Sequence, residues 1–533
     1  GAYAAALISI NLGLNFLVGM VVGFMIAALI GALLAIPSLR VRDEYLIVFT
    51  LAFQMVIYGL MLSLHSVTQG AGGITGIPHP RIFEITFLTP QDYLPLVLVI
   101  SAICLAICWR LSHSPFERVL KSTREDATAA RSLGKNVLKF KVLVFALGGA
   151  IGSIGGSTLA HYITFISPYS FTLEVSILII VIIVLGGVGN FWGPILGAAI
   201  LIGIPEALRF IPGTYGIIDA IREILYGAIL VIFMVFRPQG LLPEYLGRAG
   251  KIQVPTEGIE VSNDITWTKN DPLSSGSEGY AETVFELKGM SKSFGGLQAV
   301  KNASMTLPKG NITALVGPNG CGKTTIFNLI TGFLTPDEGA MYLQGKDITG
   351  YSPDRLVKAG LARSWQDTRV FLEMTVLANV VCAFPNQSGE SVSLLFFRPR
   401  QVAREEKENR RKGLAYLKLV GLDDKAGQLA GDLSAAEQKV LAIARILATE
   451  CLLLLLDEPT SGIDPESVKQ LGGLIKRIVK EGGRTVCLVE HNLDVIRELT
   501  ENVYFMNEGE IIANGTPDEL MSNPRLAEAY FGT

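Results

Sequence analysis

Seven stretches of about 20 mainly apolar residues, the length that crosses the hydrocarbon core of a bilayer, crowd into the first 236 positions of the chain. They run over roughly 14–36, 45–64, 93–111, 140–160, 173–189, 191–211 and 217–236. Inside the fifth, Val175–Leu185 has Ser176 as its single polar residue. A helix apolar on every side has no place on a soluble surface. The first half is therefore expected to be an all-α, polytopic membrane domain. The opening GAYAAALISI has neither a basic flank nor a cleavage site, so it does not read as a signal peptide. It reads as the tail of one more span that starts upstream.

Charge separates the two halves. Residues 1–243 hold 14 Lys/Arg and 11 Asp/Glu, net +3, while residues 244–533 hold 31 and 37, net −6. Only 17% of the chain is charged, against roughly 25% in a soluble protein, and the deficit lies in the apolar half. Neither half is basic enough to point to nucleic acid. Basic residues mark the cytoplasmic side of a membrane protein. Arg40 and Arg42 form one cluster, the eight Lys/Arg from Arg110 to Lys141 a second, and Arg237, Arg248 and Lys251 a third. Two spans separate the first from the second and four separate the second from the third. All three thus fall on one side, and the loop 65–92 on the other. Glu174, Glu206, Arg209 and Glu223 sit near span ends, which leaves no string of acids for a proton relay. The six cysteines (Cys104, Cys108, Cys321, Cys382, Cys451 and Cys487) form no CxxC pair, so reduced thiols are expected, without a disulfide framework or a zinc site.

Two segments interrupt the apolar pattern, and each has two readings. Between Ser112 and Lys139, SPFERVLKSTREDATAARSLGKNVLK is either a solvated loop held at the membrane by its charges or the carrier of a short helix that docks on a soluble domain. Glu125 and Asp126 would then start that helix and Gly134 would stop it. Leu185–Ala198, LGGVGNFWGPILGA, is either a packing turn between spans or part of a translocation path. From Pro243 to about Glu282 Gly, Ser, Pro and acids dominate without a period. That is a flexible linker of about 40 residues, spanning roughly 35 Å.

The soluble half shows its chemistry first at Gly317–Thr325, GPNGCGKTT. The run fits G-x-x-x-x-G-K-[ST] between a short apolar strand, Ile312–Val316, and a helix expected over Thr324–Leu334. Phosphate binding needs these residue types. The loop backbone over Gly317, Pro318, Asn319, Gly320, Cys321 and Gly322 wraps the phosphates, and Lys323 supplies a cation for the β and γ groups. Thr324, followed by Thr325, offers a hydroxyl to Mg²⁺. Cys321 reads as a small filler, with redox sensing as the alternative. Leu452–Leu456, five leucines in a row, suits a parallel strand covered on both faces. It ends in Asp457-Glu458, one carboxylate for Mg²⁺ and one to orient or deprotonate the attacking water. A third strand, Thr485–Val489, leads to Glu490-His491, where His491 is either structural or a γ-phosphate contact. ATP and Mg²⁺ are the expected cofactors.

Over residues 284–533 these pieces resemble the ATP-binding-cassette (ABC) ATPases: the P-loop, Gln366 in RSWQDTRVF, LSAAEQ at Leu433–Gln438, LLLLLDEP, SGID at Ser461–Asp464, and His491. SKSFGGLQAV, the charged Val402–Lys412 and the ending ANGTPDELMSNPRLAEAYFGT are similar to the ATPase subunits of branched-chain amino acid importers. RVRDEYL, SPFERVLKSTREDATAARSLG, LGGVGNFWGPILGA and FRPQGLL resemble the permease subunits of the same systems. The resemblance implies a multi-domain chain: an all-α polytopic permease over 1–243, a linker over 244–282 and an α/β P-loop ATPase over 283–533. It implies the inner (plasma) membrane, with the ATPase in the cytoplasm. Leucine, isoleucine or valine would be taken up at the cost of ATP. An extracytoplasmic solute-binding protein, a second permease subunit, a second ATPase subunit and membrane lipid would be the partners. Urea, amides and other amino acids are the alternative solutes, since their importers share the pattern.

The resemblance also assigns roles. Residues 112–139 would couple permease to ATPase, and Gln366 would sense Mg²⁺ and face that segment. Phe294 would stack on adenine, the alternative being a core Phe. Ser434 would contact the γ-phosphate bound by the opposite subunit. The departure is in the signature, LSGGQ in the family and Leu433-Ser434-Ala435-Ala436-Glu437 here. Alanine where the backbone needs φ > 0 costs roughly 1–2 kcal/mol. Glu437 brings a negative charge near a phosphate, or else serves the helix N-terminus through the dipole. A nucleotide-binding subunit with weak ATPase activity is therefore the alternative to an active importer.

Overall fold

The computed structural model describes residues 1–38, 43–82, 85–208, 224, 227–229, 231–233, 235–237, 239–244 and 283–523. It divides into two compact units, Gly1–His113 with Leu138–Gly250 and Ser114–Val137 with Lys251–Thr533. The polar stretch Ser114–Val137 thus groups with the soluble half. The span expected over 217–236 lies mostly outside the described residues. So do Arg40, Arg42, Arg209, Glu223, Arg248, Lys251 and the linker from 245 to 282.

The first unit holds helices α1 (Ala2–Asn11), α2 (Phe16–Ser38), α3 (Asp43–Ser63) and α4 (Pro90–Ser112). The chain then passes through α5 (Pro115–Glu125) and α6 (Ala127–Ser132) of the other unit. It returns with α7 (Val137–Ile163), α8 (Leu173–Gly186) and α9 (Gly193–Leu208). Among the described residues, Phe16–Ser38, Tyr45–Ser63, Pro90–Ser112, Val137–Ile163 and Pro168–Gly186 are long and apolar enough to cross a membrane. The stretch expected over 191–211 forms α9, of which 16 residues, up to Leu208, fall within the described residues. Leu29, Leu33, Val48 and Leu98 stand exposed on these helices, as side chains that face lipid do. Small residues bring the helices together. A Cβ on Gly186 would fall 2.0 Å from the Gly193 carbonyl oxygen, and one on Gly197 2.3 Å from that of Ile182. These approaches support the packing-turn reading of the Leu185–Ala198 run between α8 and α9. Buried His161 of α7 is satisfied by Ser9 of α1 at 3.0 Å and by the Ser157 carbonyl at 2.8 Å.

Among the described residues, the soluble half of the second unit has ten strands: β1 (Thr283–Phe294), β2 (Leu297–Pro308), β3 (Ile312–Val316), β4 (Glu338–Leu343), β5 (Lys346–Asp347), β6 (Leu361–Arg363), β7 (Leu453–Asp457), β8 (Thr485–Val489), β9 (Asn502–Asn507) and β10 (Glu510–Gly515). Six form a sheet in the order β6-β7-β8-β3-β9-β10, parallel except for β10, and four form an antiparallel sheet ordered β2-β1-β4-β5. The leucine run explains itself here. Leu453 and Leu455 pack on one face with Phe285, Leu287 and Phe327, while Leu454 and Leu456 pack on the other with Ile443, Ile475 and Ile478. A strand buried on both faces has no place for a polar residue until its end.

The helices of this half include α10 (Lys323–Ile330), α11 (Val376–Ala383), α12 (Pro399–Leu419), α13 (Ala435–Ala448) and α14 (Pro465–Lys480). The helix expected to reach Leu334 stops at Ile330, because Gly332 takes φ +70° and turns the chain. In the Ser114–Val137 segment, Asp126 caps α6 by accepting from the N–H groups of Thr128 and Ala129 at 2.8 and 2.9 Å. Gly134 follows at φ +80°. Ala129 and Ala130 are fully buried. Arg118 pairs with Glu406 of α12, Arg369 with Asp126 at 2.8 Å, and Lys135 donates to the Phe384 carbonyl at 2.8 Å. Of the two readings of this segment, the one with a docked helix matches the structure.

Candidate functional site

The P-loop connects β3, buried at every position, to α10. Gly317 sits at φ +153°, and a Cβ there would fall 2.0 Å from the Met506 carbonyl oxygen of β9, so only glycine lets the loop pass. Lys323 Nζ donates to the carbonyls of Gly317 and Pro318 at 2.8 and 2.9 Å, which holds the ammonium inside the curve of the loop. Thr324 is exposed beside it. Cys321 is buried, and burial pushes its thiol up against the opposing pull of Lys323. A buried, protonated thiol is inert, as the filler reading requires.

At the end of β7 the two carboxylates differ. Asp457 is buried, and its Oδ2 accepts from Arg363 at 2.6 Å. Arg363 also donates to Asn328 of α10 at 2.6 Å and stacks on Trp365, 4.3 Å from the ring centre. Burial pulls the Arg363 guanidinium down, and Asp457 opposes that pull. Glu458 takes φ +46°, a left-handed backbone whose cost of order 1 kcal/mol persists at functional positions. Its N–H donates to the Val489 carbonyl of β8 at 2.9 Å. Gln366 Nε2 donates to Glu458 Oε2 at 2.8 Å, and His491 Nε2 lies 3.3 Å from Oε1. The structure therefore brings Gln366, Glu458 and His491 together, with one partner on each carboxylate oxygen.

Sequence reading passed over three supports. Arg363 holds Asp457. Buried Glu490 accepts from the N–H and hydroxyl of Thr460 at 2.9 and 2.6 Å, pinning the turn after Glu458. Lys439 of α13 donates to the Ser461 carbonyl in that same turn. The available signal for Arg363 was a charge inside an otherwise apolar strand, which needs a buried partner. Contacts from this loop to the Ser114–Val137 segment come from the neighbours of Gln366, where Trp365 donates to Ser132 at 3.3 Å and Arg369 pairs with Asp126. Gln366 itself points to Glu458.

Phe294 ends β1 at 47% exposure, so it is not a core residue, and Lys292 Nζ stands 5.8 Å from its ring centre. Ser434 is the N-cap of α13 in a capping box. The Glu437 carboxylate accepts from the Ser434 N–H at 2.9 Å and its hydroxyl at 3.0 Å, and pairs with Lys425. Lys425 and the Ser434 N–H hold the Glu437 carboxyl below its usual range. Ala435 and Ala436 open α13 without positive φ, so the condition under which alanine would be strained there is not met. Thr324, Asp457 and Gln366 carry oxygen donors of the hard type that Mg²⁺ takes.

Residues 1–234 match the family described as branched-chain amino acid transport system / permease component, and residues 300–461 match the ABC transporter family. The high-affinity branched-chain amino acid transport ATP-binding protein LivG of Salmonella typhimurium is 33% identical over 252 residues, 47% of this chain and 99% of that protein. LivG of Escherichia coli is 32% identical over 252 residues, with the same shares, 47% and 99%. BraF of Pseudomonas aeruginosa is 32% identical over 249 residues, 47% of this chain and 98% of its own. With both halves matched, the chain belongs to the ABC transporter family, as a multi-pass membrane protein that joins a permease component of the branched-chain amino acid type to an ATP-binding component.

Proposed function

We propose that the chain is the fused permease and ATPase of an importer that moves leucine, isoleucine or valine into the cytoplasm at the expense of ATP. Residues 1–243 serve as the permease, 244–282 as the linker and 283–533 as the ATPase. The observation that carries this is the convergence of Gln366 and His491 on Glu458 beside the P-loop, on a loop that also grips the Ser114–Val137 segment. The backbone of Gly317–Gly322 with Thr325 cradles the phosphates, and Lys323 neutralises the β and γ groups. Phe294, exposed at the strand end, stacks on adenine. Glu458 orients a water for in-line attack on the γ-phosphorus and takes its proton, while ADP leaves. His491 fixes one carboxylate oxygen and reaches the γ-phosphate, and Gln366 fixes the other. Bound at Thr324, Asp457 and Gln366, Mg²⁺ would supply charge neutralisation along the phosphates. Ser434 serves the nucleotide held by a second ATPase subunit. A second permease subunit and an extracytoplasmic binding protein complete the assembly.

A second reading, a subunit with weak ATPase activity, is favoured by Ala435, Ala436 and Glu437 in the signature, while urea, an amide or another amino acid is the alternative solute because importers of those share the sequence pattern. Reconstituted vesicles carrying the assembled complex and its binding protein, tested with branched-chain amino acids, urea, amides and other amino acids, separate these readings. ATP-dependent uptake confined to the branched-chain set is the expected result.

A further inference from the structure

Ser153, Ser157 and His161 follow one another at intervals of four on α7, so they share one face of a helix that is long and apolar enough to cross a membrane. All three are buried, Ser157 and His161 at 0% exposure and Ser153 at 6%. What they face belongs to the same unit: Ser9 on α1 and Gly23 on α2. A Cβ on Gly23 would fall 3.2 Å from Ser153 Oγ and 3.3 Å from Ser157 Oγ, and one on Gly19 3.1 Å from Ser9 Oγ. A polar seam thus runs between α7 and the α1–α2 pair, and α2 closes it with glycines.

Two hydroxyls on this seam differ from the others in the unit. Thr158 donates to the Ile154 carbonyl at 2.8 Å, Ser63 to that of Gly59 at 2.8 Å and Ser38 to that of Ala35 at 2.7 Å, each bonded back to its own helix. Ser153 Oγ and Ser157 Oγ are buried without a partner. His161 does not serve them. Its Nδ1 lies 2.8 Å from the Ser157 carbonyl, which can only accept, so in the neutral ring Nδ1 carries the proton and Nε2 takes the Ser9 hydroxyl at 3.0 Å.

A buried hydroxyl without a bond costs stability, and alanine would fill the same space without that cost. Polar side chains kept inside a membrane despite the cost mark solute pathways. On the importer reading given above, we propose that this seam is the translocation path in its closed state. When α2 separates from α7, Ser153 and Ser157 bond the ammonium and carboxylate of the passing amino acid. A hydroxyl suits both groups, since it accepts from an ammonium and donates to a carboxylate. Ser9 and His161, bonded to each other, extend the polar face by one turn.

The test uses the full chain assembled with its partner subunits and binding protein in vesicles. Ser157→Cys keeps the size of the side chain. Its reaction with aminoethyl methanethiosulfonate is read by mass spectrometry of the α7 peptide, apart from Cys104 and Cys108 of α4. Without nucleotide, position 157 should stay unmodified, as its burial requires. During ATP turnover it should become modified, and its failure to do so would overturn the path. Ser153→Ala with Ser157→Ala loses no bond, so thermal stability and ATP hydrolysis should persist. Leucine taken up per ATP hydrolysed should nevertheless fall about tenfold, the size of one lost hydrogen bond to a charged group. Unchanged uptake per ATP would overturn the role given to the hydroxyls and leave them as packing. If vesicles of the wild-type chain moved no branched-chain amino acid, turnover-dependent modification at 157 would still uphold the path, and the importer reading alone would fall.

Discussion

Glu458 combines a left-handed backbone with a partner on each carboxylate oxygen, so its position is over-determined by its surroundings. Replacing it with glutamine keeps the shape and removes the base. Glu458→Gln should retain ATP and cut single-turnover cleavage roughly 10²–10⁴-fold, whereas Lys323→Ala should weaken nucleotide binding itself. Filter binding and quench-flow read the two effects apart, and unchanged cleavage in Glu458→Gln would refute the assignment. Arg363 makes a different prediction. Both it and Asp457 have nearly buried side chains, and removing one member of a buried pair strands the other. Arg363→Met should destabilise the ATPase by about 3–5 kcal/mol in denaturant titration, and Arg363→Met with Asp457→Asn should recover part of that loss. At this scale the sequence named Glu458, Gln366 and His491 because each ends a strand or sits in a motif. Arg363 and Glu490 stayed hidden because a buried pair is defined by a partner distant in the chain. Phe294 could not be placed at all, since a Phe at a strand end reads equally as core or as surface.

Elements were more legible than their ends. Ile312–Val316 and Thr485–Val489 match the expected strands to the residue, because a short run buried on both faces must be apolar throughout. The helix after the P-loop was drawn too long, since Gly332 acts through a backbone angle that composition does not reveal. α6 was visible as a cap and a stop, Asp126 and Gly134, but its seat against Trp365 and Arg369 was not. That seat yields a prediction. Asp126 caps α6 and also pairs with Arg369, so Asp126→Ala removes a cap worth about 1 kcal/mol together with one link to the Gln366 loop. Ala129→Pro, at a fully buried position in the first turn of α6, removes an N–H that the Asp126 cap accepts and forces a ring into a packed seat. Nucleotide binding should survive in both. Uptake in reconstituted vesicles should fall with Asp126→Ala and vanish with Ala129→Pro, and normal uptake with Ala129→Pro would remove α6 from the coupling route.

At the scale of the whole molecule the question is whether the proposed transporter has two equal ATP sites. In the assembly inferred above, each nucleotide lies between the P-loop of one ATPase and the Ser434-type helix cap of the other. This chain brings a complete P-loop half with Glu458, and a cap half in which Ala435, Ala436 and Glu437 replace the glycines and glutamine of the family pattern. The backbone of α13 carries no strain at the alanines, so any deficit must come from charge and fit. Glu437 is held ionised by Lys425 and bonds the Ser434 hydroxyl. It thus occupies the group that would meet the γ-phosphate and adds a negative charge beside it. Losing one preorganised contact to the reacting phosphate costs about 3 kcal/mol of barrier, roughly a hundredfold in rate. With a partner ATPase that carries LSGGQ, the site holding Lys323 and Glu458 should turn over, and the site completed by this chain's cap should be slow. Steady-state ATPase of the complex should then be nearly abolished by Glu458→Gln and largely spared by the corresponding change in the partner. Glu437→Gln isolates the charge, because glutamine still closes the capping box and the half-exposed pair with Lys425 contributes at most about 1 kcal/mol. Combined with Ala435→Gly and Ala436→Gly, it should raise the slow site's single-turnover rate toward that of the other. If the triple variant leaves that rate where it was while the fold and ATP binding persist, the altered signature has no bearing on turnover.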